Sequence, residues 1–77
     1  MRKESLLKRI EINPEIMLGK PVIKGTRMPA GLIVEKIAYG ASIDEILKQY
    51  PFLKKDDINA ALFYASRVMK TEDIYAI

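Results

Sequence analysis

A chain of 77 residues, 49% of them apolar, suffices for one small domain, since domains commonly hold about 100 to 200 residues. It contains no cysteine and no histidine, which excludes disulfide bonds and the usual zinc sites. A core this small is marginally stable without such links, so we expect at least a homodimer. No apolar run reaches the length of a signal peptide or a membrane span, and we therefore expect a cytoplasmic protein without membrane contact.

The net charge of +3 is concentrated at the N-terminus. Residues 1–9 hold four basic side chains and one acidic side chain, whereas residues 10–77 are balanced. With only Leu6 and Leu7 to bury, residues 1–9 are either a short frayed helix or a flexible basic arm. The positive surface expected of a nucleic-acid-binding protein would come from this arm and from the hairpin that follows it.

Residues 10–28 predict a small β-sheet. The alternation of apolar and polar side chains over residues 10–12 is typical of a half-buried strand, which an Asn-Pro pair ends. Residues 22–23 and 27–28 flank a tight turn in which Gly25 can adopt a positive φ without steric cost. A hairpin this small is unstable alone, so we expect it to pack on helices or on another subunit.

The hairpin is a candidate binding surface because residues 17–34 include Lys20, Lys24 and Arg27 but no acid. Two interpretations of Arg27 remain open. Its guanidinium contacts a ligand, or it pairs with an acid on one of the first two helices after the hairpin. Thr26 could cap or pin the start of the first of these helices.

Three helices are predicted after the hairpin. The first covers about residues 30–39 and is followed by Gly40, a residue type common just beyond a helix end. The second begins with a capping box, in which Ser42 and Glu45 each accept a hydrogen bond from the other's main-chain amide. Pro51 ends this second helix after about nine residues.

The third predicted helix is the longest. It covers about residues 54–69, with apolar side chains at i, i+3, i+4 and i+7. Asp56 and Asp57 fall in its first turn, where the helix dipole stabilises carboxylates. The remaining residues, 71–77, form a tail with the apolar side chains Ile74, Tyr75 and Ile77. We expect these side chains to cover the core of this chain or to contact a partner protein.

The sequence contains few of the residue types that usually catalyse reactions. Without histidine or cysteine, a general base would have to be a carboxylate or a lysine. The acid pairs at residues 44–45 and 56–57 are explained as helix starts, and no acid pair has a spacing that distinguishes a metal site. The glycines match neither a P-loop nor a dinucleotide fingerprint. We therefore predict no enzymatic activity, no metal and no cofactor.

The second and third helices together form a recognisable pattern. About three residues, 51–53, join them, which is the spacing of a helix-turn-helix whose second helix enters the major groove. That helix would present Lys54, Lys55 and Asn59 to DNA, although two neighbouring acids oppose phosphate binding. A plain three-helix core with an αα corner explains the same pattern. The predicted fold is mainly α, a three-helix helix-turn-helix core preceded by a small β-hairpin.

Several segments of the chain also resemble a known family, in the family's order and spacing. They are INPEI at residues 12–16, GKPVIKGTRMP at 19–29, GASIDEIL at 40–47, YPFL at 50–53, DDI at 56–58 and AALFYA at 60–65. The family is domain of unknown function 433, and the run GKPVIKGTR is highly specific to it. The resemblance covers about residues 10–68.

This resemblance implies a helix-turn-helix domain over residues 10–70, usually regarded as an antitoxin. Such proteins are often encoded beside a PIN-like ribonuclease toxin, which the antitoxin restrains while the pair represses its own promoter. Family members usually begin the third helix with a capping Thr or Ser, but Lys54 and Lys55 stand here. The missing cap predicts a loss of about 1 kcal/mol, and the two cations favour nucleic acid.

Two functions therefore remain open. An antitoxin-like homodimer would bind operator DNA and, through residues 71–77, a PIN-like toxin. Its DNA contacts would be made by Lys24, Arg27, Lys54, Lys55 and Asn59. A dimeric protein-interaction module would instead use its strands and helices only to build a dimer and a docking face.

Overall fold

Four helices and a two-stranded sheet form residues 3–75, the part of the chain that the computed structural model describes, with side chains described for residues 5–70. In chain order the elements are α1 (Lys3–Leu7), β1 (Ile10–Glu11), β2 (Val22–Ile23), α2 (Ala30–Ala38), α3 (Ile43–Gln49) and α4 (Lys55–Tyr75). The prediction of a mainly α fold with a small sheet before the main helices is confirmed. Residues 3–7 are helical, which is one of the two alternatives left open for the N-terminus.

The sheet joins β1 to β2 in antiparallel orientation. Ile10 lies opposite Ile23, and Glu11 lies opposite Val22. Residues 27–28, which the hairpin prediction placed in the second strand, are not part of a strand in the structure. The predicted hairpin pairing is nonetheless present in a shortened form, because the Ile23 amide donates to the Met28 carbonyl over 2.9 Å and Val22 forms an isolated antiparallel bridge with Pro29. The strand that pairs with β2 in the sheet is β1.

The turn after β2 lies where the sequence predicted it. Gly25 has φ of 81°, and the Thr26 amide donates to the Ile23 carbonyl over 3.0 Å. The Thr26 hydroxyl also donates to that carbonyl over 2.7 Å and accepts from the Met28 amide over 2.9 Å. Thr26 thus pins the turn that leads into α2, one of the roles predicted for it.

Capping residues determine where α3 begins and ends. The Glu45 amide donates to the Ser42 hydroxyl over 3.1 Å, and the Ser42 amide donates to the Glu45 carboxylate over 3.0 Å. The predicted capping box is therefore confirmed. The helix has 7 residues, fewer than the nine predicted, because Pro51 disfavours helical geometry at Tyr50.

The capping box also shifts an ionisation equilibrium. The hydrogen bond from the Ser42 main-chain amide, with a smaller contribution from its hydroxyl, lowers the pKa of Glu45 below its usual value of 4.5. A carboxylate with a lowered folded-state pKa stabilises the fold above its unfolded-state pKa. This stabilisation is lost as the pH falls through the lowered pKa.

The hydrophobic core lies where β2 meets α2, α3 and α4. Its largest fully buried side chains come one from each of these elements: Ile23, Ile33, Ile46 and Ile58. Full burial of each stabilises the fold by about 1.5 to 3 kcal/mol. The core therefore holds all the elements after β1 together.

Helix α4 is longer than predicted. It has 21 residues, about 31 Å at 1.5 Å per residue. The predicted end of this helix at about residue 69 is thus wrong, because the backbone of residues 71–75 continues the helix. No helix in the described part of the chain is long and apolar enough to cross a membrane.

The loop between the strands contains a left-handed turn, Met17–Gly19. Its φ values are 51° at Met17, 58° at Leu18 and 83° at Gly19. Left-handed geometry costs about 1 to 2 kcal/mol at a residue other than glycine. The Leu18 side chain gains little burial in return, because this residue is 93% exposed.

We expect Ser42→Ala to lower the free energy of unfolding by about 1 kcal/mol, because the first turn of α3 loses its capping oxygen. Urea denaturation at neutral pH measures this change. Ser66→Ala is the matched control, since the Ser66 hydroxyl donates only to the Phe63 carbonyl inside α4 and alanine favours a helix. Equal losses in the two variants would contradict the capping role.

Candidate nucleic-acid interface

Arg9 joins three parts of the fold. Its main-chain amide donates to the Leu6 carbonyl over 3.0 Å, which closes the end of α1. Its carbonyl accepts from the Lys24 amide over 2.7 Å, at the turn after β2. Its side chain reaches the start of α4. One residue thus sets the position of the N-terminal helix relative to the hairpin and to α4.

The guanidinium of Arg9 contacts both acids at the start of α4. Nη1 lies 2.9 Å from Oδ1 of Asp57, and Nη2 lies 3.6 Å from Oδ2 of Asp56. Asp57 is buried, with 6% of its surface exposed. A buried carboxylate is stable only with hydrogen-bonding partners, and Arg9 supplies a charged one.

Asp57 also caps α4. Its second oxygen, Oδ2, accepts from the Lys54 amide over 2.8 Å. Lys54 directly precedes the helix and Asp57 is its third residue, so the carboxylate occupies the position that the acidic member of a capping box holds. The residue before the helix thus has no capping oxygen of its own, as predicted from the sequence, and Asp57 compensates in part by accepting from the Lys54 amide.

The structure connects two of the predicted DNA-contacting regions. The Lys24 amide bonds to Arg9, Arg9 bonds to Asp57, and Asp57 bonds to the Lys54 amide. The side chains of Lys24, Lys54 and Lys55 are exposed. The turn after β2 and the start of α4 therefore both carry exposed cations and are joined through Arg9, which balances the charge of the two acids at the start of α4.

Arg27 and Asn59 are placed differently. Arg27 is exposed, and its guanidinium forms no ion pair with any acid whose side chain is described. Within residues 5–70 the structure therefore contains no ion pair between Arg27 and an acid on the first two helices after the hairpin, as one of the two interpretations of Arg27 required. Asn59 is half-buried, one turn into α4 after Lys55.

The predicted partner-binding side chains lie beyond the described side chains. Ile74 and Tyr75 belong to the backbone of α4, but their side chains lie outside the described residues, as does all of Ile77. Among the described residues, no group of three or more acidic side chains is arranged to hold a metal ion.

An apolar groove lies between α2 and α4, with a volume of about 300 Å³. Small residues and larger apolar residues from both helices line it, together with Pro21 from the loop before β2. The small ones are Ala30, Gly31, Ala61 and Ala65, and the larger ones include Val34 and Tyr64. We call this feature the α2–α4 groove. Val68 and Met69 line one end of it and are exposed.

The role of Arg9 was missed from the sequence, where it was only part of a basic arm. A weak signal was present: the third predicted helix lacked a capping side chain and began with two adjacent acids. A buried carboxylate at the third helical position needs a cation. On sequence grounds any of the twelve other basic residues could have supplied that cation, because a pairing across 48 residues leaves no periodic pattern.

Comparisons with known proteins identify relatives of this chain. Residues 10–65 match the model of a family described as "Protein of unknown function (DUF433)". The chain is 36% identical over 53 residues to the "Uncharacterized protein y4eO" of Sinorhizobium fredii (strain NBRC 101917 / NGR234). That match covers 69% of this chain and 24% of the relative, so the chain spans about a quarter of that protein's length.

A solved structure shares the fold. It is the crystal structure of a DUF433 member protein from Anabaena variabilis ATCC 29413, with a TM-score of 0.77 and 30% sequence identity. The similarity covers 94% of this chain and 71% of the other. The agreement therefore includes the helices and the sheet, beyond the residues that match the family model.

We expect Arg9→Ala to lower the free energy of unfolding by about 1.5 to 3 kcal/mol, the usual contribution of a hydrogen bond to a charged group. The variant leaves the Asp57 carboxylate buried beside α4 without its cation. Lys8→Ala is the matched control, because Lys8 is exposed and adjacent. If urea denaturation finds the two variants equally stable, Arg9 does not hold the N-terminal segment in place.

Proposed function

This chain belongs to the DUF433 family, and from that premise we propose that it is an antitoxin-like DNA-binding protein that acts in the cytoplasm as a homodimer. It neutralises a PIN-like ribonuclease toxin and represses its own promoter. It performs no catalysis and needs no cofactor. α3, the connection at residues 50–54 and α4 serve as the helix-turn-helix.

One observation carries the DNA-binding half of the proposal. The acids at the start of α4 would repel phosphates if they were free, but Arg9 lies 2.9 Å from Asp57 and 3.6 Å from Asp56. Asp57 is also turned inward, and its second oxygen is used by a main-chain amide. The exposed lysines at residues 54 and 55 can therefore approach the DNA backbone.

Each proposed contact has a distinct role on DNA. Lysine and arginine bind phosphates through charge, which supplies affinity but no sequence preference. Lys24, Arg27, Lys54 and Lys55 take this role. Asn59, further along α4, can pair with the edge of adenine in the major groove. The helix dipole adds positive potential at the start of α4.

In the toxin-binding part of the proposal, the C-terminal end of α4 contacts the toxin. Residues 71–77 include Ile74, Tyr75 and Ile77, and apolar anchors of this kind dominate protein interfaces. In this arrangement the two ends of α4 bind different partners. The toxin can then be held while the first turn of the helix stays on DNA.

We expect Lys54→Gln with Lys55→Gln to weaken binding to the region upstream of the protein's own gene and to lower its salt dependence. The slope of log affinity against log salt should fall by about two, at roughly 0.9 per lost phosphate contact. Fluorescence anisotropy with a labelled duplex, titrated at several salt concentrations, measures both quantities.

Lys48→Gln is the control, because Lys48 is an exposed lysine in the last turn of α3. It should leave affinity and slope unchanged. The DNA-binding proposal fails if the wild-type protein binds the duplex without salt dependence, or does not bind it either alone or with the product of the neighbouring gene.

A second function, a protein-interaction module that does not bind DNA, is favoured by one observation. The α2–α4 groove is almost wholly apolar, and exposed apolar side chains continue beyond it. Such surfaces are characteristic of protein-binding sites. In this case the double glutamine variant should bind protein partners as the wild type does, and co-purification should recover protein without DNA.

A further inference from the structure

We propose that the left-handed turn after β1 is a dimerisation element, and that its exposed leucine inserts into the α2–α4 groove of a second copy of this chain. Each copy offers one turn and one groove. A two-fold axis can therefore seat both turns in both grooves at once, as an isologous interface requires. This inference rests on the homodimer of the proposed function and identifies its interface.

The turn is built to project apolar side chains. Leu18 is 93% exposed, and Met17 beside it and Ile12 at the start of the loop are also exposed. The backbone holds these residues in a strained left-handed conformation. Strain of this kind persists where the surroundings enforce it and is concentrated at binding sites.

The loop that carries Leu18 is held rigidly. The Asn13 side chain accepts from the Glu15 amide over 2.9 Å, and the Asn13 carbonyl accepts from the Ile16 amide over 2.8 Å. The Ile16 carbonyl in turn accepts from the Gly19 amide over 3.1 Å. A rigid loop loses little conformational entropy on binding, which favours association.

The α2–α4 groove suits an aliphatic side chain. Its volume is about 300 Å³. The alanines and the glycine that line it allow an incoming group to approach the helix backbones closely. A β-carbon placed on Gly31 would meet no atom within 4 Å, so the space beside this residue is open.

Exposed apolar surface is concentrated in these two features. Seven large apolar residues are exposed among the described residues, and five of them belong to the loop or to the end of the groove. They are Ile12, Met17, Leu18, Val68 and Met69. A stable interface buries about 800 Å² per partner, about a seventh of the 5788 Å² of this chain. In the proposed dimer, the area that each copy buries would include both its loop and its groove.

Charged side chains border the two features. Glu15 and Lys20 flank the turn, and Lys70 follows Met69 on α4; all three are exposed. Lys20 and Glu35 of one copy line the same depression beside Gly31. The exposed apolar surface is therefore bordered by charge, and a polar rim of this kind is usual around the core of an interface.

Sedimentation equilibrium of the full chain tests the proposal without DNA. Leu18→Ser should weaken self-association by roughly 100-fold or more, because each dimer loses two buried leucines. Tyr39→Ser is the matched control, since Tyr39 is also 86% exposed but lies at the end of α2, away from the loop and the groove. It should leave self-association unchanged.

The groove is tested from the other side by Gly31→Gln, at a position where an added β-carbon meets no atom within 4 Å and the longer side chain occupies the groove. This variant should also fail to dimerise, with an unchanged circular dichroism spectrum. Mixing it with Leu18→Ser should restore partial association, because the mixed pair keeps one intact turn and one intact groove. Since the chain has no cysteine, Leu18→Cys mixed with Gly31→Cys should form an intermolecular disulfide.

The proposal is overturned if the wild type is monomeric at its highest soluble concentration, or if Leu18→Ser dimerises as tightly as the wild type. A disulfide between Tyr39→Cys and Gly31→Cys that forms as readily as the one with Leu18→Cys would also overturn it. These results are independent of DNA binding. Loss of the salt-dependent DNA complex with an intact Leu18-dependent dimer would reject only the proposed function.

Discussion

The ion pair between Arg9 and Asp57 is the contact on which the arrangement of this small fold depends. Asp57 is buried beside the core, where an unpaired carboxylate would be strongly destabilising. Arg9 reaches it from a main chain that is bonded on one side to the end of α1 and on the other to the turn after β2. The N-terminal segment, the hairpin and α4 are therefore positioned together by one buried charge.

Features coded by neighbouring residues could be predicted from the sequence, and features that depend on distant residues could not. Ser42 and Glu45 form their capping box within four residues, and the glycine at residue 40 ends α2 locally. The pairing of Arg9 with Asp57 spans 48 residues and has no periodicity. The left-handed turn was missed because it places a methionine and a leucine where glycine is usual.

The same physical contact links folding to the candidate site. On sequence grounds the two acids at the start of α4 opposed DNA binding and left the helix without a cap. In the structure Asp57 is itself the cap, and Arg9 compensates its charge. The predicted contact residues Lys24, Lys54 and Lys55 were thus identified by charge alone, whereas their connection through Arg9 required the fold.

The size of the chain explains why strain and open apolar surface occur together. A domain of 77 residues buries a smaller fraction of its surface than a larger one, so apolar side chains remain on helix faces such as the α2–α4 groove. A monomer gains nothing from holding Leu18 in water on a strained backbone. In a two-fold dimer each turn would bury its leucine, and symmetry would make that apolar contact twice. In the proposed dimer the exposed turn and the unfilled groove are the two halves of one interface.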